Sequence, residues 1–339
     1  MDALRTELQH VFGVVCDQIK NHLSTLGFEP RVIEHFSKCF MANVATGKAH
    51  RGLAVVYIGQ ALNSEPLSKQ DTGQLCMLGC LVEMMQAHYL ILDDIMDDSI
   101  TRRGATCWYR RPEIGTMAIN DACLLKSCIF WLLQEFFKSH EAYQRFTELF
   151  INGGLQTELG QLCDLDACKE QQIECFTLDK YSFLVKYKSS YSVEHPIVLA
   201  LEFFHLGTAK NVAHVHEFAM AVGEYFQVHN DYTDVFGDQS GAAGTDIRDN
   251  KCTWFICKAM VLADETQRQQ LQEAYGKKDV TQVERVKSLF IELKLEQAYE
   301  DYCKSQREKI VAIVAATDES EGLKRHILQA LFDGFKQGR

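Results

Sequence analysis

The sequence predicts an all-α protein built as one domain over 1–339, and three observations carry that expectation. Apolar residues recur at helical spacing, as along the line Cys80, Glu83, Met84, Ala87, Leu90, Ile91, and no stretch alternates convincingly like a strand. Only four prolines occur, at 30, 66, 112 and 196, so long helices can run unbroken. No linker composition, low-complexity tract or internal repeat divides the 339 residues. At 47% hydrophobic and 24% charged, a chain of this length can bury a large core.

Residues 2–25 and 30–45 read as amphipathic helices parted by a break at 27–30. The stretch TGKAHRG then sets Lys48 and Arg51 three apart, a cationic pair on one helix face, and the helix continues over 53–62. After a loop at 63–68, the longest pattern, 71–98, closes on Asp93, Asp94 and Asp97. The segment 99–115, with Gly104, Trp108, Tyr109 and Pro112, reads as a loop folding back under those acids. Helices at 116–138 and 140–164 follow, the second ending in ELGQLCDL. There Gln161 and Asp164 fit a buried hydrogen-bond network as well as they fit a site wall.

Helix 177–191 carries Lys188, which is costly to bury unless an anion meets it, and Pro196 interrupts the pattern after it. Helix 210–236 ends in a second acidic cluster, Asn230, Asp231 and Asp234, with Asp238 one turn further on. The glycine-rich loop 237–251 has the length of a functional loop and delivers Lys251 to a helix at 252–263. Helices at 264–276, 280–316 and 320–337 complete the chain.

A net charge of −11 argues against nucleic acid as a partner, because phosphate backbones need clustered positive charge. It does not argue against a diphosphate held through metal ions. The thirteen cysteines include no CxxC pair, which predicts buried, reduced thiols and no zinc site. The N-terminus has no apolar core of signal-peptide length, and no later segment reads as a membrane span, so the expectation is a soluble cytoplasmic protein.

Asp93 and Asp97 stand one turn apart on one helix face, where carboxylate oxygens can hold Mg²⁺ that keeps waters and shares phosphate oxygens. Arg102 and Arg103 follow with planar forked donors that fit phosphate. An isolated DDxxD is usually a solvated helix end, but the copy at Asn230, Asp231 and Asp234 makes two acidic clusters that could face each other. Two such clusters, with Lys48, Arg51, Arg103, Lys188 and Lys251, would bind a diphosphate and draw electrons from its bridging oxygen. If the diphosphate is allylic, its C–O bond can ionise, and the run MMQAHYLIL offers an apolar wall with His88 and Tyr89 in it. Plain core packing explains His88 and Tyr89 equally well.

TGKAHRG, DDIMDDSITRRGATCWYRR, ELGQLCDL, VKYKS, FQVHNDYTD and GTDIRDNKCTW resemble, in order and spacing, the trans-isoprenyl diphosphate synthase family. The likeness is strongest to farnesyl diphosphate synthases of the animal type and covers nearly the whole chain. It implies the isoprenoid synthase helical bundle around a central cavity, usually as a homodimer, and a three-ion magnesium cluster on Asp93, Asp94, Asp97, Asn230, Asp231 and Asp234. It further implies that Arg102, Lys188, Ser189 and Lys251 hold the allylic diphosphate. Lys48, Arg51, Gln86 and Arg103 would hold isopentenyl diphosphate, with Phe226 and Gln227 near its alkene.

The sequence departs from the family at several places. His229 and Asn230 replace Gln and the first aspartate of the second motif, and a charge is lost there. SSYSVEHP is one residue shorter than the family's run and brings in Glu194 and His195, His88 replaces an aromatic residue, and the basic C-terminal tail is reduced to FKQGR. Class I terpene synthases place Asn at the position of Asn230, with ligands at the offsets of Asp234 and Asp238. These departures tip the reading towards a terpene synthase derived from the prenyltransferase scaffold, releasing diphosphate from geranyl or farnesyl diphosphate. The alternative is chain elongation with isopentenyl diphosphate, favoured by the intact Lys48, Arg51, Gln86 and Arg103. A third reading is an inactive homologue acting as a dimer partner.

Overall fold

The structure, a computed structural model, describes residues 2–189, 191–237 and 244–337. Ser190, Asp238 and the last two residues of the FKQGR tail lie outside the described residues. The all-α expectation holds, with fifteen α-helices among the described residues and one hairpin of two-residue strands. In chain order the first helices are α1 (Asp2–Thr25), α2 (Pro30–Asn43), α3 (His50–Leu62) and α4 (Lys69–Met96). The strands β1 (Thr101–Arg102) and β2 (Ala105–Thr106) precede α5 (Met117–Phe137), α6 (Tyr143–Ala167), α7 (Leu178–Ser189) and α8 (Tyr191–Phe203). After them come α9 (Ala209–Phe236), α10 (Thr245–Arg248), α11 (Trp254–Leu262), α12 (Glu265–Ala274), α13 (Val280–Glu292), α14 (Leu295–Ala316) and α15 (Arg325–Gln337).

These elements group into two compact units, each drawn from separate stretches of chain. The first comprises Met1–Phe150, His195–Val212 and Asp318–Ile327, and the second Ile151–Glu194, Ala213–Thr317 and Leu328–Arg339.

In the first unit α4 is the central helix, packed by α1, α3 and α5 and buried on almost every side from Leu75 to His88. Ser68 starts it, its hydroxyl oxygen accepting the Asp71 N–H at 3.0 Å, which satisfies one of the open donors of a first turn. Glycine opposite glycine brings α3 against α4: a Cβ on Gly79 would lie 2.6 Å from the Gly52 carbonyl oxygen. That approach lets the buried Glu83 accept the Gly52 N–H at 2.8 Å. The start of α3, which carries Arg51, is thereby fixed to α4. The helix ends at Met96, with the Asp97 N–H still donating to the Asp93 carbonyl at 2.8 Å and Asp98 turning the chain at φ +51°.

Asp121 on α5 anchors the segment beyond the hairpin. One of its oxygens accepts Trp108 Nε1–H and the other bonds His35 Nε2, each at 2.8 Å. His195 opens the second stretch of this unit, buried, with its Nε2 donating to the Leu149 carbonyl at 3.1 Å.

The second unit has its own core, in which Phe218, Phe255, Phe290 and Ile310 are fully buried. Tyr232 of α9 stacks on Tyr299 of α14 with centroids 4.3 Å apart, and His229 Nδ1 bonds the Tyr299 hydroxyl at 2.7 Å.

Three expectations are corrected here. The helix expected over 280–316 is two, because the chain breaks at Lys294, which adopts φ +56° without a glycine or proline to signal it. Pro196 does not end the pattern but lies inside α8. By length and composition α4 is apolar enough to cross a membrane, contrary to the sequence expectation, and here it is the buried core helix of the first unit.

Two outcomes follow from these contacts. Gly79→Ala forces a methyl group onto backbone that cannot rotate away, and should lower stability by about 1–3 kcal/mol in urea unfolding. Unchanged stability would mean that α3 and α4 separate without cost.

Burial lowers the His195 pKa from its ordinary value to about 4. The unfolded chain therefore takes up a proton that the folded one refuses as pH falls below the ordinary value. Stability is lost from about pH 6.5 downwards, and at pH 4.5 the loss should be about 2–3 kcal/mol. His195→Leu should flatten that slope whatever its effect at pH 7, and an unchanged slope would place the titration elsewhere.

Candidate active site

At the C-terminal end of α4 the three acids have different surroundings. Asp94 is buried, and its Oδ1 accepts Arg102 Nε at 2.8 Å and Nη2 at 2.5 Å. Arg102 Nη2 also reaches Asp93 Oδ2 at 3.2 Å. Burial works against the Arg102 charge, but Asp94 and Asp93 outweigh it and hold the guanidinium pKa up. Asp94 is thus the buried counter-ion of Arg102. Asp93 and Asp97 remain partly exposed at the helix end, one turn apart as the spacing requires.

The cations of the first unit gather at the TGKAHRG stretch. Arg103, at φ +55°, donates from Nη1 to the Thr46 carbonyl at 2.6 Å. Its guanidinium lies so close to Gly47, itself at φ +94°, that a Cβ there would come within 2.7 Å. Burial lowers the Arg103 pKa; Glu83 opposes that, while Arg51 and Arg102 add repulsion. His50 is likewise lowered by burial and by Lys48, Arg5 and Arg51. A group of cations whose charges disfavour one another awaits an anion. Gln86, buried on α4 one turn beyond Glu83, and the exposed Lys48 complete the set.

His88 is buried, and its Nδ1 donates to the Ala122 carbonyl of α5 at 2.9 Å, as the core-packing reading has it. Tyr89 is partly buried, with its ring 5.0 Å from that of His88.

The second unit holds a cleft lined by Asp164, Tyr181, Lys188, Gln227, Asp231, Asp246 and Lys251. Lys188 Nζ meets Asp164 Oδ2 at 2.6 Å, and Lys251 Nζ lies 3.7 Å from Asp246 Oδ1. Asp164 is therefore a wall residue, the half of its two readings that the sequence left open. Ser189 Oγ donates to the Val185 carbonyl within α7, and Phe226 stands exposed on α9.

The second acidic motif is mostly engaged. Asp231 is buried, with Oδ1 accepting Gln227 Nε2 at 3.1 Å and Oδ2 the Trp254 N–H at 2.9 Å. Burial raises its pKa to about 6 against those bonds. Asp234 accepts Thr245 N–H at 3.1 Å and Thr245 Oγ1–H at 2.6 Å on Oδ1, and Asp246 N–H at 3.0 Å on Oδ2. Asp246 is pushed well above the usual carboxylate range by burial, against the pull of Lys251. Asn230 points outward, exposed.

Among the described residues no three His, Cys, Asp or Glu side chains could hold an ion by themselves. Mg²⁺ asks for less, since one or two carboxylates usually share it with substrate phosphates. Asp93 and Asp97, hard oxygen donors one turn apart, fit that requirement. Asp231 and Asp234 already accept bonds from the protein on both oxygens, two on Asp231 and three on Asp234.

Sequence reasoning missed Glu83, Tyr181 and Asp246 as site residues. A lone acid on the apolar line of α4 was a usable signal for Glu83. Nothing local separated Asp246 from the other acids of its loop.

A polyprenyl synthetase family model matches residues 33–293. The chain is 38% identical over 337 residues to a farnesyl pyrophosphate synthase of Saccharomyces cerevisiae, covering 97% of this chain and 96% of that protein. It is 41% identical over 280 residues to the farnesyl pyrophosphate synthase of Bos taurus, covering 80% and 79%. Among solved structures, a T. brucei farnesyl diphosphate synthase complexed with bisphosphonate superposes with a TM-score of 0.93 at 28% identity, covering 99% of each chain. With its helices, paired acidic motifs and cationic cluster in this order along the whole length, the chain belongs to the polyprenyl synthetase family, among its trans-isoprenyl diphosphate synthases.

Proposed function

We propose that this protein is a short-chain prenyltransferase that joins isopentenyl diphosphate to an allylic diphosphate, giving geranyl or farnesyl diphosphate. One observation carries the reading: the Gly52–Glu83 contact and the Thr46 carbonyl bring Arg51 and Arg103 together, with the exposed Lys48 in the same stretch of chain. A protein that ionises one diphosphate and cyclises the remainder has no use for a second anion site. The similarity to farnesyl pyrophosphate synthases at 38–41% identity supports the same reading over the terpene synthase that the departures suggested. Two of those departures also lose their weight, since His88 bonds Ala122 in the core and His229 bonds Tyr299. Asn230, the shortened SSYSVEHP run and the reduced C-terminal tail still favour terpene formation.

In this reading Lys188 and Lys251 bind the allylic diphosphate as point charges, and the Arg51 and Arg103 guanidiniums bind the isopentenyl diphosphate in forked fashion. Arg102 neutralises Asp94 and bonds Asp93, so its charge lies beside the acids that would take the cation. Magnesium, when bound at Asp93 and Asp97, would offset the diphosphate charge and make it a better leaving group. The allylic C–O bond breaks with both electrons leaving on diphosphate, the alkene of isopentenyl diphosphate forms the new C–C bond, and one proton is lost.

A second copy of the chain completes the reading. Ile151, Leu155, Leu159 and Leu162 form an apolar stripe along one face of α6, between 48% and 61% exposed. Leu155→Glu should shift the protein from dimer to monomer in sedimentation equilibrium, and a wild-type monomer would refute that partner.

Chromatography of products from purified protein with Mg²⁺ and geranyl diphosphate tests the activity. A C15 diphosphate should form only when isopentenyl diphosphate is added, and Arg103→Ala should raise its KM at least tenfold while the allylic KM stays within twofold. A hydrocarbon or alcohol released without isopentenyl diphosphate would restore the terpene synthase reading. Turnover surviving Asp93→Ala would remove the metal site.

A further inference from the structure

We infer that the second acidic motif of this chain works as a clamp on residues 244–254, with Asp234 a positioning residue for Lys251 and not a cation ligand. Two aspartates of α9 grip that segment at its two ends. Asp234 takes the Thr245 and Asp246 N–H groups and the Thr245 hydroxyl, and its own carbonyl accepts the Gly244 N–H at 3.0 Å. Asp231, one turn earlier on α9, takes the Trp254 N–H, which opens α11. Between the grips, the Lys251 N–H donates to the Asp246 carbonyl at 3.0 Å and the Tyr275 hydroxyl donates to the Lys251 carbonyl at 2.7 Å. Lys251 and Asp246 are thereby presented into the cleft from a segment that has only one turn of helix of its own.

The clamp and a ligand role compete for the same oxygens. Asp234 gives three of a carboxylate's about four acceptor positions to the segment, two on Oδ1 and one on Oδ2, so a cation drawing on the same oxygens would weaken the hold on its start. Asp231 is buried with both oxygens occupied, and the outward position is the neutral Asn230. Three charge-assisted bonds to one carboxylate are also the arrangement that holds a short loop firmly.

The inference rests on the proposed function only in taking Lys251 as a diphosphate-binding residue. Its test therefore needs no turnover: amide hydrogen exchange of the metal-free protein, and calorimetry with inorganic pyrophosphate at varied Mg²⁺. In Asp234→Ala, exchange over 244–251 should rise at least tenfold while α4 is unchanged. Pyrophosphate affinity at saturating Mg²⁺ should fall five- to tenfold, as in Lys251→Ala, and the double variant should fall no further, because both changes remove one interaction. The Mg²⁺ midpoint should stay within twofold of wild type, whereas Asp93→Ala should raise it. Unchanged exchange, a Mg²⁺ midpoint raised fivefold or more, or additive losses in the double variant would each overturn the clamp. Should Asp234→Ala fail to fold, Asp234→Asn keeps one acceptor oxygen and must show the same changes in smaller measure. An Asp93→Ala protein binding pyrophosphate as wild type does would refute the metal reading of the first motif and leave the exchange result to decide the clamp.

Discussion

A carboxylate removed from water must be met by a cation or by N–H and O–H donors, and that requirement orders both halves of this protein. Glu83 in the middle of α4 takes the Gly52 N–H and so fixes the start of α3. Asp94 takes Arg102 and with it one strand of the hairpin. Asp121 takes Trp108 and His35 and so ties the segment beyond the hairpin to α2 and α5. In the second unit Asp231 and Asp234 take the two ends of the segment that carries Lys251. Each of these acids takes a partner from outside its own helix. The loops that bear the cations are the parts recruited.

The energetic logic differs between the two cationic groups. Lys188 and Lys251 each have an acid close by, Asp164 and Asp246, so their charges are offset before any ligand arrives. An incoming anion must compete with those acids, which moderates affinity. Arg51, Arg102 and Arg103 instead crowd one another, with Glu83, Asp94 and Asp93 standing against them. An anion there relieves repulsion as well as gaining bonds, so the second group should bind diphosphate more readily than its residue count suggests.

Much of this was legible in the sequence, and the reason is local. Helix existence follows from 3.6-residue spacing and the scarcity of proline, and the positions of the cations follow from motif order. The break at Lys294 and the continuation of α8 through Pro196 were not legible, because lysine does not normally mark a boundary and proline normally does. Asp94, Asp234 and His88 were singled out from the sequence, and their partners were not. Each has its partner in an element that the residue's own neighbourhood does not name: Arg102 across a turn, Thr245 beyond a loop, and the Ala122 carbonyl on another helix. A backbone carbonyl or N–H leaves no trace in a residue alphabet. Charge, by contrast, is written there directly.

The split within the second motif explains how the chain keeps its fold while losing an aspartate. Positions 231 and 234 face inward and hold backbone, and position 230 faces outward and holds none of the segment. An aspartate-to-asparagine change at 230 removes a charge without loosening either grip on 244–254. The same change at 231 would leave a buried amide to satisfy two donors with one oxygen, and at 234 would leave three donors sharing one. Tolerance at the first position and intolerance at the other two is the pattern that this geometry requires, so Asn230 alters what the outer face can bind while the inner face goes on placing Lys251.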